Sequence, residues 1–118
     1  MNYDEMPAGR EMDALIAEKV MGWVVRFSNL SDAPAYFDEQ DILQRLVDDW
    51  NPKINIFQAK KCLETILHRH GHGVTMSKHF ANWDVTLIRK GQAWHGEDRE
   101  LATAICKAIV EARKEEGK

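Results

Sequence analysis

The chain has 118 residues, 44% of them hydrophobic and 30% charged, with a formal net charge of −3. That size and composition fit one domain, residues 1–118, able to bury a core without disulfides or metal. No apolar run approaches the roughly 20 residues of a membrane span, and the start "MNYDEMPAGRE" lacks a basic segment followed by an apolar one, so no secretory signal is expected.

Charge is unevenly spread. Residues 1–50 hold 4 Lys/Arg against 11 Asp/Glu, whereas residues 51–118 hold 12 against 8 and all 5 histidines. A nucleic-acid polymer needs a broad basic face, so none is expected as a partner. A local cationic pocket in the second half stays open. Cys62 and Cys106 sit among apolar residues at helical spacing. Buried reduced thiols and a cytoplasmic setting are the expectation.

In chain order, Met12, Leu15, Ile16 and Val20 form one helical stripe, predicting a helix from about Gly9 to Met21 that ends at Gly22. "WVVRF", Trp23 to Phe27, reads as a strand. "SNLSDAPAYFD" reads as a loop. Ile42, Leu46 and Trp50 recur four apart, with Leu43 and Val47 beside them, which predicts a short second helix stopped by Asn51-Pro52. Ile56, Ala59, Leu63, Ile66 and Leu67 predict a third helix, capped by Asn55 and left at Gly71 or Gly73. "GVTMSKHF" and "WDVTLIRK" predict an antiparallel hairpin around "ANW". "GQAWHGED" reads as a bend. Leu101, Ala104, Ile105, Ala108 and Ile109 define a closing helix whose tail "ARKEEGK" frays. There is no internal repeat. The expected fold class is α+β, with amphipathic helices covering a short antiparallel sheet.

Catalytic signatures are missing: no Gly-rich phosphate loop, G-x-S-x-G elbow, H-E-x-x-H or C-x-x-C occurs. An enzyme is not expected, nor a cofactor. The run "HRHGH" places His68, His70 and His72 near a helix end, where imidazoles suit exposed carbonyls better than a closed metal site. The second half also gathers flat and cationic side chains. Phe80, Trp83, Trp94 and His95 suit stacking on a base, and Arg89, Lys90 and Lys107 suit phosphate. Alternation along a strand puts Trp83, Val85, Leu87 and Arg89 on one face and Asp84, Thr86, Ile88 and Lys90 on the other. Arg89 and Lys90 therefore meet in one pocket only between two copies. The plain alternative is that Trp83 and Trp94 are packing residues. Four tryptophans in so small a domain also predict a homo-oligomer, a dimer or larger.

Three blocks carry a family likeness. "AGREMDALIAEKVMGW" (Ala8 to Trp23) resembles the opening of the phage ABA-sandwich family, small proteins encoded mostly by bacteriophages and prophages. "INIFQAKKCLETILHRHG" is similar to the family's S-T-D-I-A-A-A-W helix, and "LATAICKAIVEA" to its closing A-I-C-R-A-A-L helix, with "WDVTL" as the strand between. Together they cover about half the chain. Ile54-Asn55 replaces the Thr-Asp entry, Lys107 replaces the closing Arg, and "DEQDILQRLVDDW" looks like an insertion.

A second likeness is to the Thoeris anti-defence sponges of phages. It implies an oligomer that binds cyclic nucleotide immune signals, notably cyclic ADP-ribose isomers, without cleaving them. In those proteins pockets lie between subunits, an aromatic residue stacks on the base, and cations from hairpin and closing helix meet phosphate. Phe80 and Lys107 stand where this chain would supply those roles. The competing expectation is a phage accessory protein that binds a host protein through the acidic first half.

Overall fold

The structure, a computed structural model, describes residues 10–116. The apolar stripe of the first segment forms α1 (Arg10–Lys19), with Met12, Leu15 and Ile16 buried, as is Val20 just beyond it. Gly22 ends this segment with φ +74°, a left-handed turn that glycine adopts without a Cβ penalty, and the Trp23 N–H closes on the Ala17 carbonyl at 3.0 Å.

Three short strands follow: β1 (Val24–Ser28), β2 (Ala33–Phe37) and β3 (Leu43–Leu46), antiparallel in the order β1-β2-β3. Two expectations are corrected here. The loop "SNLSDAPAYFD" contains β2, and the predicted second helix is β3 followed by a single 3₁₀ turn, Val47–Asp49. Pro34 fits because it precedes the part of β2 that β3 pairs, Ala35 to Phe37. The spacing of Ile42, Leu46 and Trp50 misled because only Trp50 is fully buried, while Ile42 lies exposed at the head of β3. Trp50 packs edge-on against Trp23, centroids 4.8 Å apart, and its indole N–H donates to the Asp13 carbonyl at 2.8 Å. Tyr36 stacks behind Trp23 at 5.9 Å.

Helix α2 (Ile56–Arg69) begins as expected at Asn55, whose side-chain oxygen accepts from the N–H groups of Phe57 and Gln58 at 3.0 and 3.1 Å. Such a cap contributes about 1 kcal/mol. The chain then forms β4 (Gly73–His79), β5 (Asn82–Arg89) and β6 (Gln92–Asp98), a second antiparallel sheet in the order β4-β5-β6. The hairpin of β4 and β5 matches the expectation, but "GQAWHGED" is a strand and not a bend, and there are two sheets rather than one. Two-residue loops join the strands: Phe80-Ala81, and Lys90-Gly91 with both φ positive, the mirror-image turn that suits strand twist.

Helix α3 (Leu101–Glu116) crosses β5 and β6 on one face, flanked by α2 and α1. Gly96 sets the approach. A Cβ there would lie 2.3 Å from the Ala104 carbonyl oxygen and 2.5 Å from the Ala108 nitrogen, so only glycine lets the helix seat. Val85, Leu87, Trp94, Ile105 and Ile109 fill the layer between, and Cys62 and Cys106 are buried free thiols. The α+β class is as expected.

Candidate functional site

Strand parity assigns the second sheet's two faces. Lys78, Trp83 and Asp98 sit opposite one another across β4, β5 and β6, in the same row of faces as Val85, Leu87 and Trp94. This row ends the helix-covered face, where Trp83 packs against the margin of the core. Trp83 is only partly buried, and the Lys78 ammonium lies 5.4 Å from its ring centroid. Lys107 of α3 donates to the Asp98 carboxylate at 2.9 Å and to the Glu97 carbonyl at 3.2 Å. The Asp98 carboxyl is held below the usual carboxylate range, first by the Glu100 N–H and then by Lys107.

Phe80 stands at the tip of the adjoining hairpin, fully exposed, with φ +54°. A bulky side chain in the left-handed region costs roughly 1–2 kcal/mol. Glycine or asparagine fits such a position freely, so the phenyl at Phe80 adds strain and buries nothing within the chain.

Of the seven ligand-binding residues expected from sequence, Phe80, Trp83 and Lys107 come to this one end. Arg89 and Lys90 lie at the other end of β5, about 20 Å away at the strand's rise per residue. Trp94 is 7% exposed and packs against His72, centroids 5.6 Å apart, so it is a core residue. His95 points from the opposite face of the sheet, where its Nε2 lies 2.9 Å from Asp84 Oδ1. Reading residues 91–98 as a bend hid this: on a strand, neighbours Trp94 and His95 must face opposite ways.

Lys78 was missed. Its signal was the cross-strand position opposite Trp83, visible once the hairpin register is drawn. The histidine run divides as its position suggests. His68 is exposed. The His70 ring contacts the Val20 carbonyl at 3.4 Å, and burial pushes its pKa down, with Arg113 adding to the effect. His72 is buried beside the Ile66 carbonyl.

Sequence reasoning also missed a cleft of about 350 Å³ between the first sheet and α2. Trp23 forms its floor, Asp38, Glu39 and Gln44 one wall, and Lys61, Thr65 and Arg69 the other. Most of its polar groups are already engaged. Asp38 accepts from the N–H groups of Gln40 and Ile42 and from the Gln44 amide, and Arg69 bonds the Met21 carbonyl at 2.9 Å and Glu39 at 3.4 Å.

No helix among the described residues is long and apolar enough to cross a membrane. A comparison with curated proteins found no match. Among solved structures, a 2.0 Å crystal structure of a phage protein from Bacillus cereus ATCC 14579 is similar, with a TM-score of 0.70 at 17% identity over 95% of this chain and 97% of that one. At that identity the likeness concerns the fold. The family described as the phage ABA sandwich domain matches residues 14–110.

Proposed function

The chain belongs to the phage ABA sandwich domain family, and from that premise we propose that it is an anti-defence sponge, a stoichiometric binder that captures cyclic nucleotide immune signals without cleaving them. One observation carries the reading. The strained, fully exposed Phe80 tips the hairpin on which a partly exposed Trp83 lies between Lys78 and Asp98, the carboxylate that Lys107 of α3 bonds. Aromatic faces take bases and ammonium groups take phosphate, which is the chemistry of a nucleotide. A phosphate that reaches Lys107 shares it with Asp98, which holds the ammonium in place beforehand.

The platform is open on one side, so in this reading a second copy supplies the other wall. Arg89 and Lys90, remote within one chain, then contribute from the partner's sheet. Self-association has its own support in β1, an edge strand on which Val24, Val25 and Phe27 are 54%, 56% and 58% exposed. Edge strands with exposed apolar side chains pair readily with another chain. The same strand favours the second reading, a phage accessory protein whose acidic first half docks a host protein.

Calorimetry with cyclic ADP-ribose isomers and cyclic di- and trinucleotides tests the proposal. Stacking on an aromatic platform is worth roughly 1–3 kcal/mol per base and a charged hydrogen bond about 1.5–3. Phe80→Ala and Lys107→Ala should therefore each weaken capture about tenfold to a hundredfold, and ligand recovered after heating should be intact. No binding by the wild type rejects the sponge. Loss of binding in Lys61→Ala but not in Phe80→Ala moves the site to the cleft. A monomer mass by light scattering, together with salt-dependent capture of a basic host protein, favours the second reading.

A further inference from the structure

We propose that the solvent-facing side of the second sheet is a binding site for a divalent transition-metal ion, held by Asp84, His95 and Glu97 with His79 as fourth donor. This face is opposite the one that seats α3 and carries Trp83. Strand parity builds it. Asp84 on β5 lies directly across from Glu97 on β6, His95 is two residues before Glu97 on the same face, and Ser77 on β4 flanks Asp84 from the other side. His79 ends the same row of β4.

The donor atoms already stand near coordination spacing. His95 Nε2 is 2.9 Å from Asp84 Oδ1 and 3.8 Å from Glu97 Oε2, and one donor atom from each of the three residues lies within 4.8 Å of the others. Tetrahedral bonds of about 2.0–2.1 Å place ligand atoms about 3.3 Å apart, so small side-chain rotations close the set. His79 Nε2 is 3.7 Å from the second oxygen of Asp84, within reach as a fourth donor.

Neighbouring polar groups aim these atoms. Thr86 Oγ1 engages His95 Nδ1 at 3.3 Å, leaving Nε2 turned toward the carboxylates. The Asn82 amide donates to Glu97 Oε1 at 3.0 Å, leaving Oε2 on the His95 side. Ser77 Oγ lies 3.2 Å from His79 Nε2 itself, a contact that an incoming ion displaces, so Ser77 does not orient this donor. Metal sites are oriented by such outer partners, whose removal costs about 10–100-fold in affinity.

Electrostatics points the same way. Carboxylates directly opposite each other on adjacent strands repel, and Asp84 and Glu97 form such a pair. A dication held between the two carboxylates removes that repulsion. Two imidazoles with two carboxylates suit zinc, cobalt or manganese better than calcium or magnesium, which prefer all-oxygen sets. The "HRHGH" run is a poorer ligand set, because His72 is buried and His70 faces the end of α1.

The experiment titrates ZnCl₂ into chelator-stripped full-length protein by calorimetry and follows the visible absorption of Co²⁺. One ion per chain is expected. His95→Ala and Glu97→Gln should each weaken it at least about tenfold, Thr86→Val about 10–100-fold, and His68→Ala should leave it unchanged. Circular dichroism checks that the variants, all altered on an exposed face, remain folded. Absence of Zn²⁺ heat and of Co²⁺ ligand-field bands in the wild type overturns the proposal. So does binding that His95→Ala and Thr86→Val leave intact. Failure of nucleotide capture bears on the other face only and does not affect this one.

Discussion

The sheet β4-β5-β6 gives one face to α3 and turns a polar face to solvent, whereas β1-β2-β3 leaves Val24, Val25 and Phe27 more than half exposed on a single edge strand. The second sheet is internally complete. Its tight turns, alternating side chains and a glycine shaped to the helix leave only separate exposed apolar side chains among the described residues: Met76 on the β4 edge, Ile88 on the polar face and Phe80 at the tip. The first sheet meets the core through Tyr36, Trp23 and Trp50, and carries exposed apolar side chains outward on β1. Both proposed sites lie on the second sheet. The most exposed apolar strand residues of the first gather on β1.

Substitutions should separate the two regions, and the largest effect belongs to the second sheet. Gly96→Ala forces a methyl into the α3 backbone and should lower unfolding free energy by about 3 kcal/mol, the upper end for overpacking, measured by urea denaturation. Val24→Ile adds a methylene to the first sheet and should stay within about 0.5 kcal/mol. If both cost the same, the contrast between the sheets is wrong. Phe80→Gly should do the reverse of Gly96→Ala, raising stability by about 1 kcal/mol as the left-handed strain is relieved, while ligand capture falls.

Val25→Lys should leave unfolding within about 0.5 kcal/mol and reduce the mass seen by light scattering to that of a monomer. An unchanged oligomer would show that β1 is not the joining edge. The smallest effect is on pH dependence. His70 has its pKa lowered from 6.5, chiefly by burial and next by Arg113. The unfolded chain then binds the proton more readily than the native one, so stability is full above about the ordinary histidine value and is lost as pH falls below it. His70→Gln should flatten melting temperature against pH in that range, with no change above it.

Helical stripes made the three helices legible. Asn55 at the start of α2 and Gly22 after α1 were readable as well, because caps and left-handed turns demand particular residue types. What escaped was any strand whose residues look like punctuation. Gly91 and Gly96 made β6 read as a bend, although one glycine serves a mirror-image turn and the other admits a helix. Ile42, Leu46 and Trp50 happened to recur at four, a helical spacing produced by a strand, a 3₁₀ turn and a buried indole. The sites suffered in proportion. Phe80, Trp83 and Lys107 were accessible from residue type and order, but Lys78 needed the register of β4 on β5. The cluster of His79, Asp84, His95 and Glu97 needed β6 to be recognised as a strand, since only then do His95 and Glu97 share a face.

From Gly73 to Glu116, β4, β5, β6 and α3 meet in the order in which they occur, through loops of two residues between strands. Contacts so local form fast, with hairpins closing in about 1–10 μs. The first half depends on distant partners instead: Trp50 reaches back 37 residues to Asp13, and Arg69 reaches back 48 to Met21. Yet the ribosome releases that half first. At about 5–20 residues per second, β1 is outside for several seconds before α3 is finished, its valines and phenylalanine exposed throughout. Under the proposed self-association, chains emerging side by side from one messenger would have time to meet through β1 before either has completed its own core.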